Sequence, residues 1–369
     1  MNVIKSIRVL SSDLELLAEI DDYESLVFER SYHDIGEFQI VISKDKQNVD
    51  KLQKNNIIII GDDTRKAGII KYRQIQEDDK GIETLKIKGY QLKHMTTQRI
   101  VIPPEGLVYD QINGDTESVM KHYVNNHISN PVESARKIDS VEVQDNQNRG
   151  EIIEWKSRFN NLGSDLIDIS NATNIGWEMF IDYNTKKIIF DVIEGRDLTT
   201  SQSINPPAIF SRRFDNIKSQ NYIDSDIKTK NVVYVGGKGE GIEREIVTVG
   251  DVTGLDRIET FSDSRNNENI SDLIVHGERA LNDLKTKKTL EAEILTVSNL
   301  EYQKDYDLGD IVTIRYESED ITLHSRIIQI EETYEPGGFK LGIVFGNKVP
   351  TLTDKIKNQL KQIQPEITR

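Results

Sequence analysis

Between Ile7 and Lys88 the chain alternates apolar and polar side chains in short runs. They are Ile7-Arg8-Val9-Leu10, Ser25-Leu26-Val27-Phe28-Glu29-Arg30, Phe38-Gln39-Ile40-Val41-Ile42, Ile57 to Ile60, Gly68-Ile69-Ile70 and Thr84-Leu85-Lys86-Ile87-Lys88. A period of two places successive side chains on opposite faces of a strand. Turn signals at Asp21-Asp22, Gly61-Asp62-Asp63 and Asp78-Asp79-Lys80-Gly81 separate the runs at roughly ten-residue spacing, the pattern of a small β-barrel or sandwich. The chain has no cysteine, which excludes disulfides and thiolate zinc sites, so packing alone must hold these strands together.

The character changes after Pro103-Pro104-Glu105-Gly106. From Asp115, a good N-cap, Val119/Tyr123 and Met120/Val124/Ile128 recur at helical spacing, and Leu162, Leu166 and Ile169 mark a second helix. Trp177 to Asp182 and Lys187 to Val192 flank the turn Tyr183-Asn184-Thr185-Lys186 as a hairpin. After Pro206-Pro207 strands resume, followed by a helix over 269–285 with Ile270, Leu273, Ile274, Gly277, Leu281 and Leu284 on one stripe, and then by strands within 290–345. The segments are thus an all-β domain over 1–105, an α+β insertion over 106–200, a strand-rich domain over 201–350 and a tail over 351–369. In the tail Ile356, Leu360 and Ile363 fall on one face of a short amphipathic helix that needs a packing partner. The fold class is α+β, mainly β, in several domains.

Candidate sites of chemistry fail one by one. Residues 231–245, NVVYVGGKGEGIERE, suggest a phosphate cradle. The dinucleotide pattern breaks at Ile242, and the triphosphate pattern breaks at Val232 and Gly239. Both also need a helix after the glycines, where Glu245 to Val249 is β-branched; strand, glycine turn, strand is a hairpin. Among the histidines only His122 and His127 are close, and five residues on an α-helix set them about 140° apart, so no shared metal is expected. A calcium loop at Asp182 lacks its bidentate glutamate, since Ile193 stands there, and no Gly-x-Ser-x-Gly elbow occurs. No cofactor, metal or catalytic residue is therefore expected.

Lys plus Arg number 47 against 62 Asp plus Glu, a formal net charge of −15, which argues against stable binding to nucleic acid or an anionic membrane. No apolar stretch approaches the ~18 residues of a membrane span, and the N-terminus lacks a signal-peptide pattern, so a protein made in the cytoplasm is expected.

In order along the chain, Asp21 to Arg30, Gly36-Glu37-Phe38, Lys88-Gly89-Tyr90, Gln98 to Val101, Glu194-Gly195-Arg196-Asp197, Ile209-Phe210-Ser211, Asn231 to Gly237, Gly254-Leu255-Asp256-Arg257 and Leu308-Gly309-Asp310 match a known set. They resemble the tail-hub (distal-tail, baseplate-hub) proteins of siphophages and prophages of Gram-positive bacteria, over roughly residues 5 to 348. The resemblance implies two β-barrel-like domains with an α+β insertion, assembled as a homotrimer at the tip of the tail tube and lining its channel. It implies distal-tail or tube-ring proteins and a tape-measure protein as partners, in a virion tail tip or tail-like particle made for host attachment. A separate spike, lysin or receptor-binding subunit is expected to dock on Ile356, Leu360 and Ile363. Gly36, Glu37, Phe38, Gly89, Gly195, Arg196, Asp197, Gly254, Asp256 and Arg257 are read as a structural signature. The alternative is a cell-wall or carbohydrate hydrolase that uses an Asp/Glu pair.

Overall fold

The computed structural model describes residues 5–346, apart from Lys228, 266–268 and 285–286. The expected tail helix, with Ile356, Leu360 and Ile363, lies outside the described residues. The N-terminal strands are β1 (Ile7–Leu10), β2 (Leu16–Ile20), β3 (Ser25–Ser31), β4 (Glu37–Ser43), β5 (Ile57–Ile60), β6 (Asp63–Glu77) and β7 (Glu83–Gln91). β2 has no counterpart in the alternation, because Leu16 and Leu17 face solvent while Ala18 and Ile20 point inward.

The insertion contributes β8 (Asp110–Asp115), α1 (Thr116–Val124), β9 (Val141–Val143), β10 (Ile152–Ser157), α2 (Leu162–Thr173), β11 (Gly176–Asp182) and β12 (Lys187–Ile193). Asp115 caps α1 by accepting the Ser118 N–H, and Asn161 caps α2 by accepting the Ser164 N–H. α2 stops at Asn174, which takes the left-handed conformation.

Three more strands follow, β13 (Asp197–Leu198), β14 (Ile209–Phe210) and β15 (Ile217–Ser225). Next come β16 (Val232–Gly236), β17 (Ile246–Val249), β18 (Glu259–Asp263) and α3 (Ile270–Asp283). The chain returns through β19 (Lys287–Ile294), β20 (Ile311–Tyr316), β21 (Ile321–Glu335) and β22 (Gly338–Gly346). β16 and β17 pair antiparallel, from Val233 opposite Val249 to Gly236 opposite Ile246, so the glycine-rich stretch is the turn of a hairpin.

Contacts divide the described residues into two units, one reaching to Gln220 and taking up Glu291–Phe345, the other Asn221–Leu290. In the second, α3 covers one face of the three-stranded sheet β17-β16-β18 through Leu273, Val233 and Val235.

In the first, β21 pairs with β3 from Gln329 opposite Ser31 to Tyr334 opposite Leu26. This joins the C-terminal and N-terminal strands in one 14-stranded sheet of order β15-β19-β22-β21-β3-β4-β7-β6-β5-β1-β2, with β20 bridging β21 to β13 and β14. The path does not close on itself, so the barrel-like parts belong to one open sheet and no closed barrel forms among the described residues.

β5 explains why four consecutive isoleucines occur in a chain that otherwise alternates. Ile57 and Ile59 pack with Met120, Tyr123, Leu166 and Trp177 of the insertion, while Ile58 and Ile60 pack with Phe28, Phe38 and Leu85. A strand with both faces buried reads as an unbroken apolar run. The insertion is therefore seated on the back of the N-terminal sheet.

Phe38 fixes the other face. Its ring lies across Gly68 of β6 and Gly89 of β7, where an added Cβ would come 2.7 Å and 2.6 Å from the ring and, at Gly89, 2.0 Å from the Ile69 carbonyl oxygen. Gly89→Ala is expected to destabilise by about 3 kcal/mol or more, because the neighbour that must yield is backbone. Gly337→Ala, with nothing within 4 Å of its added Cβ, is expected to stay within about 0.5 kcal/mol. Urea midpoints of the two variants check this; equal midpoints would contradict the packing.

Candidate functional site

The segment Arg30–Asp34, at the end of β3 and in the turn toward β4, is where three distant parts of the chain meet. Tyr32 is fully buried, and its hydroxyl lies 2.9 Å from the carbonyl oxygens of both Ile193 and Glu194. The Tyr32 N–H donates to Ile328 O at 2.9 Å, and Trp177 Nε1–H donates to His33 O at 2.9 Å. The Tyr32 ring lies so close to Gly176 and Gly309 that a Cβ on either would come within 2.4 Å and 2.5 Å of it.

Gly195 meets Gly309 in turn. Its φ is +76°, and a Cβ there would lie 2.0 Å from the Gly309 carbonyl oxygen, so backbone packs on backbone. Arg326 lies over the Tyr32 ring at 5.0 Å and donates from Nη1 to Glu194 O at 2.7 Å. Arg196 grips Asp310, with its N–H on Oδ1 at 2.7 Å and Nη2 on Oδ2 at 2.6 Å. Two elements read separately in the sequence, Gly195-Arg196-Asp197 and Leu308-Gly309-Asp310, are thus one contact.

Lys93 holds the same segment from below. Its ammonium is buried and donates to the carbonyl oxygens of Ser31 (2.7 Å), Tyr32 (3.2 Å) and Asp34 (3.0 Å), 4.5 Å from the Trp177 ring centre. Burial pulls it down to about 7 against the attraction of Asp34 and Glu178. Gln91 Oε1 accepts the N–H groups of Ser31 (3.2 Å) and Gly36 (3.0 Å). Nothing in Gln91-Leu92-Lys93 betrays this in the sequence, since a lysine after an apolar residue reads as a solvated face.

The remaining residues of that set lie apart from this junction or at its margin. Gly36 approaches the Glu29 carbonyl oxygen, and Phe38 and Gly89 meet as described above. Glu37 sits exposed on β4 opposite Tyr90. Asp197 accepts the Thr199 N–H at 2.9 Å. In the second unit, Gly254 begins a short turn at φ +71°, the Asp256 carbonyl oxygen accepts from Asn231, and Arg257 donates to the Tyr234 hydroxyl at 3.0 Å.

One expectation is corrected. His122 and His127 do converge, with their Nε2 atoms 2.7 Å and 2.9 Å from the two oxygens of Asp110. The cause is a π-helical turn over Asn125–Ser129, directly after α1, whose wider winding brings residues five apart toward one face. Burial would raise the Asp110 carboxyl, but the two imidazoles hold it far below the usual carboxylate range. Among the described residues no group of three or more His, Asp or Glu is placed to hold a metal ion.

The hydrolase alternative needs an accessible carboxylic acid. A surface pocket of ≈ 480 Å³ is lined in part by Asp62, Asp63 and Lys66. Burial works to raise Asp63, yet the Gln303 amide, Lys66 and Arg30 hold it below its ordinary range, so it is an anion and not a proton donor. Asp62 is paired with Arg8 at 2.6 Å. Asp165 is shifted upward by burial but is 2 % exposed and hydrogen-bonded to Ser157. At Asp182 the carboxylate serves the hairpin turn, accepting from the Asn184 N–H and the Thr185 hydroxyl at 2.9 Å each.

The family model described as Siphovirus ReqiPepy6 Gp37-like protein matches residues 6–347. The chain belongs to this siphovirus tail protein family. A 43 kDa tail protein of prophage MuSo2 from Shewanella oneidensis has a similar fold, with TM-score 0.57 and 11% identity over 92% of this chain and 98% of that one. The tail protein from Neisseria meningitidis MC58 superposes with TM-score 0.56 and 13% identity, over 93% of this chain and 97% of that one. Prophage tail protein gp18 from Listeria monocytogenes EGD-e gives TM-score 0.51 and 13% identity, covering 98% and 99%. No curated protein matches in sequence.

Burial, with Lys93 and Arg326 nearby, pulls the His33 imidazole down to about 3. The unfolded chain, with an ordinary imidazole near 6.5, therefore takes up a proton first as pH falls. Stability present above about pH 6.5 is lost progressively toward pH 3. His33→Asn is expected to flatten the fall in urea midpoint between about pH 6.5 and 5, before carboxylates titrate. An unchanged slope would place His33 outside this linkage.

Proposed function

We propose that this protein is the hub of a siphovirus-type tail tip, a homotrimer that joins the tube or distal-tail ring to the tip and lines the central channel. The observation that carries the reading is the fold shared along nearly the whole of both chains with the Shewanella, Neisseria and Listeria tail proteins. A scaffold shared end to end, with its buried ionic groups committed to holding backbone, suits assembly better than turnover.

The outer half of β6 supplies an edge for contact between copies. Beyond Ile70 this strand pairs with β7 alone, and Tyr72, Ile75 and Ile82 of the hairpin stand 46%, 50% and 54% exposed. An exposed apolar edge recruits another strand unless something covers it. A net charge of −15, turned toward the channel, would keep DNA or a tape-measure protein sliding. Ile356, Leu360 and Ile363, which lie outside the described residues, remain the proposed seat of a separate spike, lysin or receptor-binding subunit.

Light scattering is expected to give a trimer of about 127 kDa, three times 42.2 kDa, for the purified chain alone, or three copies of it per complex when its tail-ring neighbour is added. Tyr72→Lys with Ile75→Lys is expected to return it to the monomer with unchanged circular dichroism. A monomer under every condition contradicts the hub reading.

A further inference from the structure

The insertion gathers exposed apolar side chains just past the end of the β8–β10 ladder, which closes at Asp110 opposite Ser157. There the segments 99–102 and 158–161 run side by side, with the Phe159 N–H donating to Val101 O at 2.7 Å and the Val101 N–H to Asn160 O at 2.9 Å. Ile100, Ile102, Leu107, Val108 and Phe159 all stand exposed, Leu107 by 62% and Val108 by 59%. Phe159 does so at φ +56°, a left-handed conformation that a bulky side chain rarely adopts. Strain of this kind, about 1–3 kcal/mol, holds an aromatic ring out in solvent, and strained positions cluster where a surface is used.

Arginines border the patch. Arg99 Nε donates to Arg136 O at 2.8 Å, Arg136 Nη2 donates to Ile100 O at 2.5 Å, and Arg158 lies 5.2 Å from the centre of the Phe159 ring. Among the described residues none of these three arginines has an ion pair. Burial, and after it the charge of Arg99, pulls the Arg136 guanidinium below its ordinary range against the attraction of Glu133. Cations gathered in this way on a chain of net charge −15 leave a place for acids brought from outside.

The tip of the β6–β7 hairpin has the opposite character. Ile75 and Ile82 are exposed, and Glu77, Asp78 and Asp79 between them outnumber Lys80. Asp78 Oδ1 accepts the N–H groups of Lys80 and Ile82 at 2.9 Å each, which fixes the shape of the turn. Among the described residues neither Glu77 nor Asp79 has an ion pair. The tip and the patch both belong to the first unit, so every copy carries one of each.

We propose that the hairpin tip of one copy docks on the patch of the next, with Ile75 and Ile82 against Leu107, Val108 and Phe159, and Glu77 and Asp79 against the arginines. The occupant is a second copy because the same chain supplies both halves of the complement, acidic apolar tip and basic apolar patch. Copies that repel one another over most of their surface then attract in one orientation. A head-to-tail contact of this kind gives a ring when its rotation closes. The proposal rests on the assembly reading and names the face that receives the exposed hairpin.

The chain has no cysteine, so introduced ones report alone. Full-length Asp79→Cys and Val108→Cys chains, co-expressed and treated with a short bismaleimide, are expected to give a mixed two-chain adduct that neither chain gives by itself. No adduct from the pair, or equal adducts from the separate chains, overturns the contact. Arg99→Glu with Arg158→Glu, and Glu77→Lys with Asp79→Lys, are each expected to weaken self-association by about tenfold or more in light scattering, and all four changes in one chain are expected to restore it to within about threefold. A trimer indifferent to these reversals overturns the contact and leaves the hub reading standing. An adduct from a chain that otherwise scatters as a monomer upholds the contact and contradicts the trimer.

Discussion

The structure of the first unit depends on one close approach, that of Gly195 to the carbonyl of Gly309, with the ring of Tyr32 wedged against Gly309 and Gly176. Any side chain at these glycines would push apart segments that come from opposite ends of the sequence. A tyrosine buried this completely removes about 150–250 Å² from water, worth roughly 4–6 kcal/mol at 25 cal/mol per Å² before ordering costs. The Arg196–Asp310 pair, the Arg326 guanidinium and the Lys93 ammonium then fix the orientation of the backbone around it. Burial supplies the energy, and the ionic contacts supply the direction.

The same logic runs through the other buried charges. Glu332 is 0 % exposed, and it is bonded by Lys66 at 2.7 Å and by the hydroxyls of Tyr302 and Tyr334. Glu117 is met by Arg149 and Lys121, which hold it down at about 2 although burial works the other way. A buried charge that lost its partner would cost several kcal/mol, so each pair is a constraint on geometry more than a reservoir of stability. In these clusters the acids are spent on cations and hydroxyls.

Much of this fold is written in local pattern. The alternation finds β1, β3, β4 and β7, the unbroken apolar run finds β5, Asp115 and the spacing after it find α1, and the β-branched run after the glycines finds the β16–β17 hairpin. What pattern cannot carry is pairing between distant strands. The β21–β3 ladder that merges two expected barrels into one open sheet leaves no mark in either strand, since each alternates as it would in a barrel. The convergence of His122 and His127 was hidden for a different reason: a π-turn changes the angular spacing on which the sequence argument relied. At the junction, Gly195-Arg196-Asp197 and Leu308-Gly309-Asp310 were visible as motifs, but Tyr32, Lys93 and Arg326 were not. A buried lysine held by three carbonyls has the same sequence signature as an exposed one.

Native-state hydrogen exchange tests most directly the claim that a single interlock holds the first unit together. The amides of Tyr32, Gly309 and Ile311 bond to Ile328 O, Ile327 O and Arg196 O, so each reports on a different segment of the junction. They are expected to exchange through one common opening whose free energy equals that of global unfolding of the unit. Exchange of these three amides at unrelated rates, each by its own local opening, would contradict the account.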